Sequence, residues 1–242
     1  MSHPPTLETM TQSKIHLIGG EKGGVGKSMV ARLLAQYFID HAMAFVGYDT
    51  DRSHGALLRF YGGFAAPLPI DGPDSLDRIV EAAADMPDRR VLVDLAAQTQ
   101  PALVNWIEDS GVLALIEEIG IGLTYWHVMD AGRDSVDLLA LLLDQLGGRI
   151  GLVLVHNEIR GENFELLAAS GQLERAHALG ARSARLRRLP DATMQKIDGQ
   201  NTSFWAAVNP SERATTGLGL LDRQRVKVWL QRAYDEIDRV GA

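Results

Sequence analysis

The sequence predicts a single α/β domain built on a mostly parallel, twisted sheet with helices on both faces. Two observations support this fold class. Short apolar segments alternate along the chain with segments of helical periodicity, which is the pattern of βαβ units. A glycine-rich turn also joins the first predicted strand to the first predicted helix. With 242 residues, 46% of them hydrophobic, the chain is long enough to bury a core on both faces.

The first half of the chain begins with a polar segment, 1–13, that lacks periodicity. We expect it to be a flexible arm before a domain at 14–242. A strand is predicted over 14–20, and a helix over 28–40, where apolar residues recur at helical spacing. By the same criteria, the following elements are strands at 44–48 and 90–94 and helices at 74–84 and 101–109.

The second half continues the alternation. Strands are predicted at 121–129, 149–156 and 184–189, and helices at 133–146 and 218–240. No repeat, low-complexity tract or linker divides the chain, so the sequence predicts one domain.

Composition excludes several classes of site. Because there is no cysteine, the chain cannot form a disulfide, a thiolate zinc site or a Cys-ligated iron–sulfur cluster. No two of the seven histidines have the i, i+4 spacing of a metal site on a helix. The longest apolar run, 138–143, is far shorter than the roughly 20 residues that span a bilayer. Since 1–13 has no apolar core of a signal peptide, we expect a cytoplasmic protein.

The net charge of −7 is unevenly distributed. Residues 1–121 contain 9 basic and 16 acidic side chains, whereas 122–242 contain 15 of each. Within the balanced half, four arginines lie within seven residues that include no acid, namely Arg182, Arg185, Arg187 and Arg188. They are candidates for a non-specific DNA contact. The alternative is a solvated face, or arginines that pair with acids of the first half.

The glycine-rich turn at 21–28 is the strongest chemical signal in the chain. Glycines between a strand and a helix let successive backbone N–H groups point at an anion, and the helix dipole adds to this attraction. Lys27 is expected to reach the β/γ-phosphates, and the Ser28 hydroxyl to bind Mg²⁺. Glu21 replaces the first glycine of the strict phosphate-loop pattern, and a second lysine, Lys22, follows it. The turn, called the phosphate loop below, contributes the nucleotide-binding residues Gly23, Gly24, Val25, Gly26, Lys27 and Ser28.

Carboxylates follow two of the other predicted strands. Asp49 and Asp51 come at the end of the second strand, and Asp94 ends the strand at 90–94. Because the carboxyl ends of parallel strands meet at one edge of the sheet, these groups are expected beside the phosphate loop. There they suit Mg²⁺ coordination and the orientation of an attacking water.

Taken together, the segment Lys22–Ser28, the pair Asp49 and Asp51, and Asp94 resemble the deviant Walker A ATPases of the ParA/MinD type, from about residue 15 to the C-terminus. The resemblance implies a P-loop NTPase that forms a homodimer when it binds Mg-ATP, with both nucleotides at the interface. Hydrolysis then dissolves the dimer.

The same resemblance implies a role for each matching residue. Lys22 is the signature lysine that reaches the partner subunit's nucleotide. Asp51 positions the water, Asp49 supports the metal shell and Asp94 is the Walker B carboxylate. The positions that match the family's adenine site are Asn157, Pro190 and Asp191.

Two segments depart from the family's pattern. Residues 95–100 lack the proline of the usual switch segment, and 52–55 lack the Pro-Gln typical of partition ATPases. These segments and the run at 222–229 resemble more the TraL- or StbB-like subgroup of plasmid transfer and stability proteins. The coupling of nucleotide to partner is therefore expected to be specialised.

The sequence thus predicts a switch ATPase that positions, partitions or helps transfer a cargo, plasmid DNA or a protein complex, with an activating partner protein. Two alternatives remain open: a ligase or synthase of the dethiobiotin or cobyrinic acid synthase type, and a nucleotide-binding adaptor with negligible hydrolysis. The tail at 234–242 has three acids and one base, so no membrane attachment is expected there.

Overall fold

The fold is a parallel sheet between two layers of helices. In a computed structural model, residues 12–53, 55–209 and 218–242 are described. Their strands are β1 (Lys14–Gly19), β2 (Phe45–Asp49), β3 (Ala65–Pro67), β4 (Arg90–Asp94), β5 (Gly122–Met129), β6 (Gly151–Asn157) and β7 (Arg182–Leu186). Their order in the sheet is β3-β2-β4-β1-β5-β6-β7, and every pairing is parallel. The predicted α/β fold class is confirmed.

The helices cover both faces of this sheet. In chain order they are α1 (Lys27–Asp40), α2 (Ala56–Tyr61), α3 (Pro73–Ala84), α4 (Gln100–Asp109), α5 (Val112–Glu118), α6 (Arg133–Leu146), α7 (Glu165–Ala169), α8 (Gln172–Ala178), α9 (Asp191–Gly199), α10 (Phe204–Val208) and α11 (Leu220–Val240). A short 3-10 helix, Glu158–Arg160, follows β6. Among the described residues, no helix is both long and apolar enough to cross a bilayer.

The core is divided by the sheet into two apolar clusters. In β1, Ile18 packs into the cluster formed with α1, α2, α10 and α11, while Ile15 and Leu17 pack into the cluster formed with α3, α4, α5 and α6. Alternate side chains of a strand point to opposite faces, so a strand covered on both sides is apolar at nearly every position. This explains the continuous apolar runs of the central strands.

The strand register brings the functional ends together. β1 lies between β4 and β5, with Ile18 opposite Asp94 and Gly19 opposite His127. On the other side of β4, Asp49 lies opposite Asp94. The carboxyl ends of β1, β2 and β4 therefore meet at one edge, as parallel pairing requires.

Some elements differ from the prediction. The sequence did not predict β3 or the helices α2, α5, α7, α8, α9 and α10, which have at most nine residues and too few turns for a clear helical period. β7 was predicted at 184–189 but ends at Leu186, and the chain leaves the sheet before Pro190, the N-cap residue of α9.

Most of the predicted arm, 1–11, lies outside the described residues. Ser13 lies within them and is buried. Its hydroxyl donates to the Met86 carbonyl oxygen at 3.1 Å, and its own carbonyl oxygen accepts from the Gly122 N–H at 2.9 Å.

Candidate functional site

The phosphate loop runs from the end of β1 to the first residue of α1. Two of its glycines have positive φ angles, Gly24 at +73° and Gly26 at +97°, and Gly26 is the N-cap residue of α1. Two features disfavour any side chain at Gly26: its φ angle is positive, and its Cβ would lie 2.2 Å from the Asn157 Nδ2. The loop therefore has the backbone that the glycine pattern predicted.

Lys27 and Ser28 open α1 beside Asp94. The buried Lys27 side chain folds back along the loop, and its Nζ donates to the Lys22 carbonyl oxygen at 3.1 Å. Burial lowers the pKa of Lys27, against the opposing effect of the carboxylates of Asp94, Glu21 and Asp51. Lys27 is thus a buried cation, and three nearby carboxylates stabilise its charge.

Asp94 is the most strongly perturbed acid of the site. Burial and the neighbouring charge of Asp49 raise the pKa of Asp94 to about 7, although the Ser28 hydroxyl donates to this carboxylate and the charge of Lys27 also favours its ionised form. Its Oδ1 is buried without a hydrogen-bond partner. A buried oxygen of this kind is free to accept a ligand, since leaving a buried polar group unsatisfied costs about 1–3 kcal/mol.

Asp49 organises the segment that follows β2. Its Oδ1 accepts from the Asp51 N–H at 3.1 Å, and its Oδ2 from the Leu58 N–H at 3.2 Å. Burial nevertheless raises the pKa of Asp49. Asp51 accepts from the Ser53 N–H at 2.8 Å. Asp49 therefore fixes the turn that carries Asp51 and the first turn of α2.

The oxygen donors of this edge fit Mg²⁺ only with help from a ligand. Ser28 and Asp94 supply the hard oxygen atoms that Mg²⁺ prefers, and the unpartnered Asp94 Oδ1 leaves a place for it. In the described part of the chain, however, no three His, Asp or Glu side chains are grouped so that they could hold a metal by themselves. Phosphate oxygens and water would have to complete the shell.

Lys22 lies in ion pairs within its own chain. Its Nζ is 3.3 Å from both carboxylate oxygens of Asp130 and 3.6 Å from the Asp134 Oδ2. Asp130 is buried at the end of β5, where it also accepts from the Ser135 hydroxyl at 2.6 Å and the Gly132 N–H at 3.1 Å.

Asn157 braces the phosphate loop from the end of β6. The buried amide donates from Nδ2 to the Val25 carbonyl oxygen at 2.8 Å. This contact brings the predicted adenine residue to the loop. Whether it also contacts a base stays a prediction.

Pro190 lines a neighbouring cleft of about 650 Å³ between the 3-10 helix, the β7–α9 connection and α11, and Asp191 follows it as the first residue of α9. Asp191 accepts from the Arg188 Nε at 3.0 Å. The cleft is lined by arginines of both walls and by apolar residues, including Arg185, Arg187, Arg188, Arg225, Arg232, Leu189, Pro190 and Trp229.

The predicted arginine patch is more strongly paired than its sequence suggests. Arg185 forms an ion pair with the buried Glu158 of the 3-10 helix, a tertiary contact, whereas Arg188 pairs with Asp191, three residues further along the chain. Arg182 and Arg187 are exposed.

Sequence reasoning missed two residues beside the phosphate loop. The Glu21 Oε1 accepts from the Gln100 N–H, the first of α4, at 2.8 Å, which connects the loop to the segment after Asp94. Arg160, at the end of the 3-10 helix, contacts Asp130 and Gly24. The mismatch of Glu21 with the glycine pattern was a signal for the first contact, whereas no local pattern pointed to the second.

Two TraL proteins from Escherichia coli are similar to the chain. One is 26% identical over 243 aligned residues, which cover 93% of this chain and 98% of the relative. The other is 30% identical over 171 residues, which cover 65% of this chain and 70% of the relative. The chain belongs to the TraL family. This confirms the TraL-like part of the resemblance, while the wider relationship to ParA/MinD ATPases stays a prediction.

Further comparisons accompany this TraL assignment. A MobD protein from Acidithiobacillus ferrooxidans is 26% identical over 198 residues, covering 80% of this chain and 86% of the relative. A solved structure of a nucleotide-binding protein from Archaeoglobus fulgidus, in complex with ADP, matches with a TM-score of 0.47 and 16% identity over 78% of this chain and 86% of that one. No family model matches the chain.

Proposed function

We propose that this TraL family member is a Mg-ATP-dependent switch ATPase that acts in plasmid transfer. The observation that carries the proposal is the phosphate loop, with Gly24 and Gly26 at positive φ angles, Lys27 at the start of α1 and the buried Asp94 beside Lys27 and Ser28. At this site an anion-binding backbone lies beside two buried carboxylates, Asp49 and Asp94, whose pKa values are raised. Perturbed pKa values of this kind are typical of functional sites.

The loop's own residues bind the phosphates. Its backbone N–H groups and the N-terminus of α1, a helix of 14 residues, attract the anion. The Lys27 Nζ exchanges the Lys22 carbonyl oxygen for a phosphate oxygen, and this exchange is favourable because the phosphate oxygen is charged and the carbonyl oxygen is neutral.

Ser28 and Asp94 hold the metal of the nucleotide. When bound, Mg²⁺ would neutralise charge on the phosphates, and the Ser28 hydroxyl and the Asp94 carboxylate are the oxygen groups that would hold it. Asp49 keeps the turn at 51–53 in place, from which the Asp51 carboxylate orients the attacking water. Each of these roles belongs to a residue at the shared edge of β1, β2 and β4.

Lys22 is the residue that connects nucleotide to assembly in this proposal. To reach a nucleotide in a second copy, it has to leave Asp130 and Asp134 and exchange two carboxylates for phosphate. Dimerisation is then sensitive to the γ-phosphate, and hydrolysis returns Lys22 to its own chain.

Membership of the TraL family and similarity to MobD favour plasmid transfer as the setting, with plasmid DNA or a protein complex as cargo. The exposed Arg182 and Arg187 are the DNA contacts we propose.

The decisive experiment measures nucleotide binding by calorimetry and phosphate release in Mg²⁺. The wild-type chain is expected to bind ATP, and Lys27→Ala to weaken binding at least tenfold. Lys227→Ala, which removes an exposed lysine of α11, is the matched control and should bind within twofold of wild type. No ATP binding by the wild type, or equal binding by Lys27→Ala, would refute the proposal.

A further inference from the structure

Arg160 lies directly against the phosphate loop. If Gly24 had a side chain, its Cβ would be 2.9 Å from the Arg160 Nη2, so the guanidinium occupies the space beside a residue that has none. Arg160 is about half exposed, with 53% of its side chain accessible, and can therefore meet a ligand from solvent. It is a third cation at the loop, after Lys22 and Lys27.

The backbone that carries Arg160 is fixed at both ends of the 3-10 helix. Asn157, which precedes the helix, donates to the carbonyl oxygen of Val25 in the loop. Glu158, the first residue of the helix, is buried in an ion pair with Arg185 of β7. After it, Gly161 turns the chain away at a φ of +138°. Arg160 is consequently presented to the loop by a short, well-anchored element rather than by a free loop.

The contact between Asp130 and the Arg160 guanidinium is long. The Arg160 Nη1 is 3.5 Å from the Asp130 Oδ2, longer than a good hydrogen bond. The Ser135 hydroxyl and the Gly132 N–H both donate to the other oxygen of this carboxylate, Oδ1, so Oδ2 faces Lys22 and Arg160. Arg160 therefore reaches a new anion in a pose that keeps part of the guanidinium facing the Asp130 Oδ2.

We propose that Arg160 binds the phosphate chain of the nucleotide held by the same phosphate loop, together with Lys27. The inference rests on the proposed function, because it concerns the same ligand. The planar guanidinium offers five N–H donors, so it can bind phosphate bidentately while one N–H still faces Asp130. Gly24 leaves room for this approach, since a Cβ there would lie 2.9 Å from the Arg160 Nη2.

The test compares the affinities of ATP, ADP and AMP, measured by calorimetry in Mg²⁺, for wild type and Arg160→Gln. Loss of one charge-assisted phosphate contact is expected to weaken ATP and ADP about tenfold. AMP, which lacks the phosphates that the loop and Lys27 bind, should weaken less than threefold. Arg160→Lys keeps the charge but loses the planar fork, so it should weaken ATP binding by an intermediate amount, about threefold.

Arg133→Gln is the matched control. Arg133 begins α6, three residues after Asp130, is 86% exposed and pairs with Asp137 at 3.8 Å. Like Arg160→Gln, Arg133→Gln removes one positive charge from this edge of the sheet, but its ATP affinity should stay within twofold of wild type. Thermal unfolding without nucleotide checks that each variant is folded.

The outcomes separate this inference from the proposed function. If Lys27→Ala abolishes ATP binding but Arg160→Gln behaves like Arg133→Gln, the inference fails and the proposed function stands. Equal weakening of ATP and AMP by Arg160→Gln, or equal weakening of ATP by Arg160→Gln and Arg160→Lys, would show a role in shape rather than phosphate binding and overturn it. If wild type binds no ATP, both fail.

Discussion

At the residue scale, the phosphate-loop edge contains a group of buried charges. Lys27, Asp49 and Asp94 are each at most 9% exposed, and Asp94 has an oxygen without a partner. Desolvating charged groups costs free energy that packing alone does not return. Such an arrangement is expected where a charged ligand completes the site.

Asp94→Asn tests whether the buried charge of Asp94 lowers the stability of the fold while it supports activity. The change removes a buried charge next to Asp49, so urea unfolding without nucleotide should show an increase in stability of about 1–3 kcal/mol at pH 8. Phosphate release should fall by about a hundredfold or more. Asp137→Asn, at an exposed position of α6, should alter neither value. A less stable Asp94→Asn chain would contradict the argument.

His16 predicts a pH dependence of folding that is independent of nucleotide. It lies in β1, where its Nδ1 accepts from the Trp126 Nε1 at 3.2 Å. Burial, followed by the charges of Arg90 and Lys14, lowers the pKa of His16 to about 3. Below pH 6.5 the unfolded chain binds a proton that the folded chain does not, so this contribution to stability is lost as the pH falls from about 6.5 toward 3.

For His16→Gln, the loss of unfolding free energy between pH 7 and pH 5 should therefore be smaller by about 2 kcal/mol. Chemical denaturation at the two pH values measures it. His177→Gln, at an exposed position, is the control and should leave the difference close to that of wild type. An unchanged pH dependence in His16→Gln would show that His16 is protonated in the folded chain.

At the scale of elements, Glu21 links the phosphate loop to α4. Its carboxylate accepts from the first N–H of that helix, while the Gln100 side chain donates to the Gln145 Oε1 of α6 at 2.7 Å. Helix N-termini are stabilised by such an acceptor. The loop, the segment after Asp94 and α6 are thus joined, and in the proposed function this is the route by which nucleotide acts on residues 95–100.

Glu21→Ala should uncouple these elements. Unfolding free energy is expected to fall by about 0.5–2 kcal/mol, as for loss of a helix cap, and hydrogen exchange at 98–103 should become faster. Glu117→Ala, at an exposed position of α5, should change stability by less than about 0.5 kcal/mol. Exchange as slow as in wild type would mean that the contact does not order α4.

At the scale of the whole molecule, the proposed dimer depends on Lys22. Light scattering with Mg-ATP should show a doubling of mass for wild type and no change for Lys22→Ala, because only the former can reach the second nucleotide. Lys227→Ala should dimerise like wild type. Dimerisation of Lys22→Ala with ATP would refute the role of this lysine.

DNA binding is a second property of the assembled molecule. For the ATP-bound protein, affinity for duplex DNA should fall with salt, and Arg187→Ala should reduce the slope of log K against log[salt] by about 0.9, the value for one phosphate contact. Arg133→Ala should not change the slope. An unchanged slope in Arg187→Ala would remove this residue from the proposed interface.

The sequence alone determined the long elements and the phosphate loop. Periodicity over ten or more residues predicted α1, α6 and α11, and glycines between a strand and a helix predicted the loop, because both signals are local. The carboxyl-edge positions of Asp49 and Asp94 also followed from sequence, since parallel pairing brings strand ends together. Helices of five to nine residues gave too short a pattern to predict.

Only the tertiary structure decided which charges meet. The pairing of Lys22 with Asp130, of Arg185 with Glu158 and of Arg160 with Gly24 joins residues 27 to 136 positions apart, and no local pattern specifies such contacts. The sequence placed four arginines within seven residues that include no acid, and the fold brought the distant Glu158 to one of them, Arg185. Local sequence sets backbone conformation, whereas the partners of side chains depend on strand order and register.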